Sequence, residues 1–335
     1  MVRKTGTPAP KKKSSKRTTS KKRSKPAAEA VGAAERVPDQ APPASNASAA
    51  PAASAVEPLL VNDHVALKRC RHGWFMFNRN DQFVGRSLDR YGEWCQTELE
   101  ILTPLLRPGR YVLDIGAFIG SHTVYFAQQV GPHGRVYAFE PQRHAFQMLC
   151  GNVALNALTN VTCLPCVVGR EAGWRRLGES SPTSVGNFGG TQALVVPSGE
   201  PTRVVRIDDL ELMRCDVMKI DVEGMETDVL AGAAATIDRF KPIIYCENNR
   251  AERSAEIIGE LTRQGYKIWW HFVNYFNPNN HAAERENIFA NYWPEANILC
   301  VHESAKVVVK NLMAIAGLDD DWKRAYERLK AGVTA

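Results

Sequence analysis

Tyr111-Val112-Leu113-Asp114-Ile115-Gly116-Ala117-Phe118-Ile119-Gly120 decides how this 335-residue chain is read. Its first five residues form a largely apolar run, short enough to be a strand buried on both faces. The run ends on a loop with glycines at 116 and 120. Gly116 lets the chain turn sharply and lets a ligand come close to the backbone. Gly120 permits close packing where a helix over Ser121–Val130 begins, with Ser121 as its expected cap. After the tight turn Gly131-Pro132-His133-Gly134, a second strand over Arg135–Phe139 ends on Glu140. This is one strand–helix–strand unit, and an acid at that strand end accepts the hydroxyls of a ribose.

Glycine loop and acid together announce an adenosine-containing ligand. A dinucleotide site favours G-x-G-x-x-G, which seats a pyrophosphate on the helix N-terminus. Here the spacing is G-x-x-x-G, opened by Asp114, whose carboxylate repels pyrophosphate and attracts a cationic amino acid. S-adenosylmethionine, with its ammonium, sulfonium and ribose, suits Asp114 and Glu140 better than NAD does. The bland alternative makes Gly116 and Gly120 turn glycines and Glu140 a surface acid.

The alternation continues outward. Upstream, Val65–Cys70 and Trp74–Phe77 read as short strands, Asn78-Arg79-Asn80-Asp81 as a turn, and Cys95–Leu106 as a helix stopped by Pro108-Gly109. Downstream, Phe146, Leu149, Cys150 and Val153 mark one helix face. Val161–Val168 is a third strand, Val217–Ile220 a fourth and Ile243–Cys246 a fifth. Between the last two, Val229, Leu230, Ala233 and Ile237 share a helix face. A helix near Ser254–Gln264 and strands at Tyr266–Trp270 and Asn297–Val301 complete the series. The expected fold is α/β: a Rossmann-like, doubly wound, mostly parallel seven-stranded sheet with a small N-terminal β cap. Ligands then bind beyond the carboxyl ends of the strands. Residues 170–203 and 271–296 read as long loops, a kind that is usually functional or disordered.

The expected division is a disordered basic tail over 1–58, cap strands and a helix over 59–108, the main domain over 109–302 and a helical extension over 303–335. Residues 1–60 hold 12 basic and 4 acidic residues, which leaves 30 basic against 32 acidic in the remainder. The whole-chain charge of +6 therefore describes the tail. Eleven basic residues and no acids precede an Ala/Pro/Ser-rich stretch, a composition that cannot offset chain entropy by burial. Lys11–Lys13 and Lys21–Arg23 suit an arm for a polyanion such as nucleic acid or an acidic surface; the rival is a solubilising tail without a partner. No apolar core of a signal peptide follows these charges, and no run is long enough for a transmembrane helix. The eight cysteines are scattered through apolar segments, which fits reduced thiols in a cytoplasmic protein. Cys163 and Cys166 form one CxxC, inside a strand and without a second pair to complete a zinc site.

Residues 85–300 resemble the FkbM family of class I methyltransferases. The resemblance is carried by Gly109 with Val112–Thr123, by Ala138-Phe139-Glu140-Pro141, and by Asn152, Asn156 and Asn160 within 149–161. Its most specific part is Lys219-Ile220-Asp221-Val222-Glu223-Gly224-Met225-Glu226, leading to Val229–Ala233; Pro242 and Ile243–Glu247 follow. One departure is Phe118, where the family usually has Asn. The resemblance implies a class I methyltransferase fold and methyl transfer from S-adenosylmethionine to a hydroxyl, often on a sugar or polyketide. Asp114, Gly116, Ala117, Gly120, Glu140 and Pro141 are then the cofactor residues.

A sulfonium methyl is already electrophilic, so the protein must align the acceptor and take a proton from a poor nucleophile. Asp221 and Glu223 after the fourth strand, Glu247 after the fifth and His271 past the sixth are the candidate bases. Asp221, Glu247 and Asn248 also form a candidate Mg²⁺ set, since hard oxygen ligands without a Cys/His cluster favour Mg²⁺ over Zn²⁺. Partners on this reading are a small-molecule or glycan acceptor and, for the tail, a polyanion. Nothing in the sequence sets an oligomeric state. The alternative function is a nucleic-acid-associated methyltransferase, or a non-catalytic S-adenosylmethionine-binding protein, recruited by the tail. Against base methylation, the core has no Asn/Asp-Pro-Pro-aromatic motif, and its one Pro-Cys is Pro165-Cys166 within the third strand.

Overall fold

The computed structural model describes residues 58–178, 181–190 and 196–332, so the basic tail, but for Pro58, lies outside the described residues. A small antiparallel sheet comes first, from β1 (Leu59–Leu60), β2 (Val65–Cys70) and β3 (Gly73–Asn78). Two helices follow, α1 (Val84–Tyr91) and α2 (Gln96–Leu102), the second continued by a 3-10 turn, Thr103–Leu105. The expected helix over Cys95–Leu106 is thus shorter, and α1 was not expected.

The main sheet opens with β4 (Tyr111–Ile115), α3 (Ser121–Val130), β5 (Arg135–Phe139), α4 (Arg143–Leu155) and β6 (Val161–Leu164). Gly120 is the cap residue of α3 and Ser121 is already helical, a correction to the expected cap. The expected third strand is cut at Pro165. Proline has no N–H to give a ladder, and β7 (Cys166–Val168) leaves for a second sheet with β8 (Gly173–Leu177) and β9 (Glu200–Val205). The stretch 170–203 therefore holds a hairpin instead of a plain loop, and Cys163 and Cys166 sit in different sheets. All eight cysteines are free thiols.

The chain returns through β10 (Val217–Ile220), α5 (Glu226–Gly232), α6 (Ala234–Phe240), β11 (Ile243–Glu247) and α7 (Ala251–Arg263). Two long strands, β12 (Tyr266–Val273) and β13 (Glu295–His302), a short β14 (Met313–Ala314) and α8 (Trp322–Lys330) finish it. The sheet order is β14-β12-β13-β11-β10-β4-β5-β6. Strands β6, β5, β4, β10 and β11 run parallel, while β13 is antiparallel to both β11 and β12. This is the doubly wound, mostly parallel α/β arrangement expected from sequence, with β14 as an eighth strand at one edge. From β4 the chain first builds β5 and β6 on one side, then β10 and β11 on the other. The order reverses between β4 and β10, and such a switch point opens a crevice at the strand ends.

Both sheet faces are covered, which is why the strands are almost continuously apolar. Leu113, Ile115, Met218, Ile220, Ile244 and Cys246 pack with α5, α6 and α7. Val112, Val217, Tyr245 and Leu299 pack with α2 and α3 on the other face. Among the described residues no helix is long and apolar enough to cross a membrane.

Helix α4 fastens the N-terminal sheet with its asparagines. Asn152 Oδ1 accepts the Met76 N–H (2.7 Å), and its Nδ2 donates to the carbonyls of Met76 (3.0 Å) and Ile119 (2.8 Å). Asn156 pairs with both backbone groups of Trp74 in the same way. Asn160 donates to the carbonyls of Ala127 and Gly131 at the end of α3. Two amides thus imitate a strand against the edge of β3. Because Asn152 is fully buried, Asn152→Ala strands backbone groups without partners and should cost about 2–4 kcal/mol of stability. Urea unfolding followed by circular dichroism measures this; a loss below about 0.5 kcal/mol would contradict the role given to Asn152.

Candidate functional site

The crevice is built first by the loop after β4. Gly116 has φ 86°, and a Cβ there would lie 1.7 Å from the Asp221 carbonyl oxygen. Only glycine lets the ends of β4 and β10 come this close. The N–H groups of Gly116 and Ala117 both donate to the Phe139 carbonyl, at 3.0 and 2.9 Å. Phe118 is left-handed at φ 48°, a conformation that asparagine tolerates better than a bulky residue. Its N–H donates to Glu140 Oε2 (2.9 Å), and its ring lies against Gly189 on the cavity lining. The Gln142 N–H donates to Glu140 Oε1 (2.7 Å). The carboxylate is thereby aimed by two amides, and burial pushes it up to about 7.

Asp114 is fully buried behind this wall, where Oδ2 accepts the Thr123 hydroxyl (2.5 Å). Gly120 is also behind the wall, close against Leu149. The wall itself includes Gly116, Ala117, Glu140 and Pro141. Pro165-Cys166 contributes Cys166 to the same cavity, but burial raises that thiol to about 11, so it is protonated at neutral pH.

The other half of the cavity is acidic. After β10 come Asp221 and Glu223, the latter left-handed at φ 56°; Glu247 ends β11, and Glu295 starts β13. Lys219 Nζ, almost wholly buried, pairs with Asp221 Oδ2 at 2.8 Å. Burial alone would lower that ammonium, but Asp221, Glu98 and Asp114 raise it above its ordinary value. Glu223 meets Arg250 at 3.2 Å, and burial with the nearby Asp221 charge lifts its carboxyl to about 7. Burial, reinforced by Asp221 and Glu223, holds Glu247 well above the carboxylate range. Glu295 is raised likewise, by burial and then by Asp221 and Glu98.

Aromatic side chains close the acidic half: Phe83, Trp94, Tyr275, Tyr292 and Trp293. Trp94 stacks on Tyr275 with centroids 5.4 Å apart, and Phe83 lies edge-on to Tyr275 and Tyr292. The segment 181–190 supplies Asn187, Gly189 and Gly190. It is fastened by buried Asp81, which accepts the N–H groups of Phe188 and Gly85, and by two bonds between Gly186 and the backbone of Asn80 and Gln82. The cavity is about 400 Å³.

Of the residues expected from sequence, Gly116, Ala117, Glu140, Pro141, Asp221, Glu223 and Glu247 meet on one cavity. Asp114 and Gly120 support it from behind. His271 is not on the cavity wall; its Nδ1 is hydrogen-bonded to the Tyr245 hydroxyl at 2.7 Å, and burial lowers its pKa. Asn248 is not on the wall either, and its Nδ2 donates to Ser254 Oγ. Its neighbour Asn249 takes the place, donating to Glu247 Oε1. The sequence reading gave no role to Lys219, Glu295 or the aromatic wall. The one available signal was the aromatic content of 271–296.

Residues 114–268 match the family described as the methyltransferase FkbM domain. A relative, the methyltransferase sdnD of Sordaria araneosa, is 30% identical over 155 residues, which cover 36% of this chain and 60% of the relative. The chain thus spans about three-fifths of that protein's length. Among solved structures, the methyltransferase FkbM of Methylobacillus flagellatus is 20% identical over 57% of this chain and 43% of its own, with a TM-score of 0.38. The O-methyltransferase TomG of Streptomyces achromogenes, solved in complex with S-adenosylmethionine, is 12% identical over 62% of this chain and 79% of its own, with a TM-score of 0.37.

Glu140 makes the site pH-sensitive. Only the ionised carboxylate is acceptor-only, so if Glu140 holds the ribose of S-adenosylmethionine as expected from sequence, affinity for it should rise with pH through about 7 and fall on acidification. Without ligand the sign reverses. Carboxyls raised from 4.5 to about 7, as in Glu140 and Glu223, contribute stability that is present below 4.5 and lost as pH rises through about 7. Calorimetric titrations between pH 5.5 and 8.5 measure the first effect and thermal melts the second. An affinity flat across that range would contradict the assignment of Glu140.

Proposed function

We propose that this chain, whose residues 114–268 match the methyltransferase FkbM domain, transfers a methyl group from S-adenosylmethionine to a hydroxyl on a sugar, a glycan or a small metabolite. One observation carries the reading: the loop at Gly116 and the acid Glu140 share a single cavity with Asp221, Glu223 and Glu247. A cofactor half and a proton-accepting half thus face each other. The residues fit the cofactor, because the wall at 116–117 is nearly bare backbone and each Glu140 oxygen keeps a lone pair beyond its amide bond. Gly116, Ala117, Glu140 and Pro141 would hold it, with Asp114 bracing the loop through Thr123.

S-adenosylmethionine, when bound, supplies an electrophilic methyl group. The protein's work is then to hold an acceptor oxygen in line and receive its proton. Glu223, raised to about 7, has the near-neutral pKa that suits a general base. Asp221, anchored by Lys219, orients the acceptor beside it. The aromatic wall supports an acceptor with an apolar ring face. A second hollow of about 410 Å³ shares Asn249, Tyr275, Trp293 and Glu295 with the first, which supports an acceptor longer than one ring. The polar and aromatic lining together favours a sugar or glycan.

Asp221→Asn and Glu223→Gln should each lower turnover by about 10²–10⁴-fold on an accepted hydroxyl compound, with S-adenosylmethionine affinity changed by less than about threefold. Transfer of a labelled methyl group to a panel of sugars, glycans and small hydroxylated metabolites, with the variants beside the wild type, is the test. Full turnover in both variants would overturn the assignment of the acidic half.

The basic tail, outside the described residues, is proposed to bring this cytoplasmic enzyme to a polyanion. Its charge supports that, as the free thiols support a reducing compartment. Deleting residues 1–55 should leave cofactor affinity and melting temperature unchanged and abolish only salt-sensitive association with nucleic acid or anionic vesicles. A large drop in melting temperature would contradict this.

A further inference from the structure

Asp221, Glu223 and Glu247 each offer a carboxylate oxygen, and these oxygens lie within 4.8 Å of one another. Two oxygens on opposite sides of one hard cation are separated by about 4–5 Å, twice a metal–oxygen distance of roughly 2.0–2.6 Å. The three come from two neighbouring strand ends, so the parallel pairing of β10 with β11 fixes their spacing. Two of them have cationic partners, Lys219 on Asp221 and Arg250 on Glu223. For Glu247 no ion pair is found among the described residues. Its Oε1 accepts from Asn249, but its Oε2 is buried with no hydrogen-bond partner. Only 6% of this side chain's residue is exposed. Glu295 and Glu226 add further carboxyl groups nearby.

Leaving a buried carboxylate oxygen unpaired among like charges is costly. It is the arrangement expected of a ligand set awaiting a positive charge. Arg250 and Lys219 are already engaged with the other two acids, so Glu247 is neutralised either by a proton or by a cation from outside the chain. The donor atoms are all hard oxygens, without cysteine or histidine among the three, which selects Mg²⁺ or Mn²⁺ over zinc.

We propose that Asp221, Glu223 and Glu247 form a divalent-cation site on the acceptor wall, with Mg²⁺ or Mn²⁺ as its occupant. This resembles the set expected from sequence in Asp221 and Glu247 but replaces Asn248, whose amide is turned to Ser254, by Glu223. Open positions on the ion would hold oxygens of the acceptor, which narrows the acceptor to compounds with adjacent oxygen donors such as vicinal hydroxyls. The inference rests on the reading of this cavity as a methyltransferase site, yet the ion-binding claim can be tested apart from it.

The test is Mn²⁺ binding to the full chain at pH 7.5, followed by electron paramagnetic resonance and by calorimetry, with S-adenosylmethionine titrated in parallel. One saturable site is expected, displaced by Mg²⁺ and weakened at least tenfold in both Glu247→Gln and Glu223→Gln, with the melting temperature checked for each variant. Only weak, non-saturating Mn²⁺ binding, or tight binding that both folded variants retain, would overturn the site. If the cofactor binds and Mn²⁺ does not, the cation site alone fails. If Mn²⁺ binds at these residues and the cofactor does not, the methyltransferase reading fails while the cation site stands.

Discussion

The close approach of Gly116 to the Asp221 carbonyl is the constraint on which the site depends. Strands β4 and β10 pair side by side up to Ile115 and Ile220, and the chain then turns away from both. The Asp221 N–H still donates to the Ile115 carbonyl at 2.9 Å. A side chain at 116 would push the two strand ends apart and break that last rung. With glycine in place, the loop passes over β5, where the Phe139 carbonyl catches two amides and Glu140 catches a third. Phe118 and Glu223 are left-handed, on opposite sides of the same crevice. Such unfavourable backbone persists only where its surroundings over-determine it, and here it coincides with the cavity wall.

The second organising fact is charge. The cavity gathers Glu140, Asp221, Glu223, Glu247 and Glu295 around one buried lysine. Lys219 lies beside Asp114 in the sheet register and contacts Asp221, so it bridges the proposed cofactor side and the proposed acceptor side. A purely structural role would be better served by apolar side chains of similar volume, since buried ion pairs seldom stabilise. Buried acids with raised pKa values, here Glu140, Glu223, Glu247 and Glu295, cluster where proton transfer or cation binding takes place. The proposed cofactor loop and acidic half therefore draw on the same few strand ends, where Glu223 would serve as general base without the ion and as its ligand with it.

The fold was largely legible because both signals it rests on are local. Apolar runs of strand length alternate with 3.6-period faces, and Gly116 and Glu140 stand at the ends of two such runs. Where a feature depends on which sheet a strand joins, local pattern is silent. Val161–Val168 is one apolar run, yet Pro165 sends its two halves to different sheets. Helix α1, short and carrying Arg86, Asp89 and Arg90, gave no apolar stripe long enough to see. The site was legible in part for the same reason. Strand-end acids announce themselves, but Phe83, Trp94, Tyr275, Tyr292 and Trp293 converge from loops far apart in sequence, and no spacing rule links them. Asn248 shows a rule left unused. Successive strand residues point to opposite faces, so Glu247 and Asn249 share the cavity and Asn248 does not. His271, on β12, is separated from β11 by β13, and its partner is Tyr245 beneath the wall.

The central claim is that the crevice between β4 and β10 is an S-adenosylmethionine site shaped by Gly116 and Glu140. Its most direct test is a calorimetric competition at pH 8 among S-adenosylmethionine, its demethylated product and NAD, on the wild type and on Glu140→Ala. The account predicts one site shared by the first two ligands, no detectable NAD binding, and affinity weakened by about 2 kcal/mol or more when the ribose acid is removed. Tighter binding of NAD, or unchanged affinity in Glu140→Ala, would contradict it.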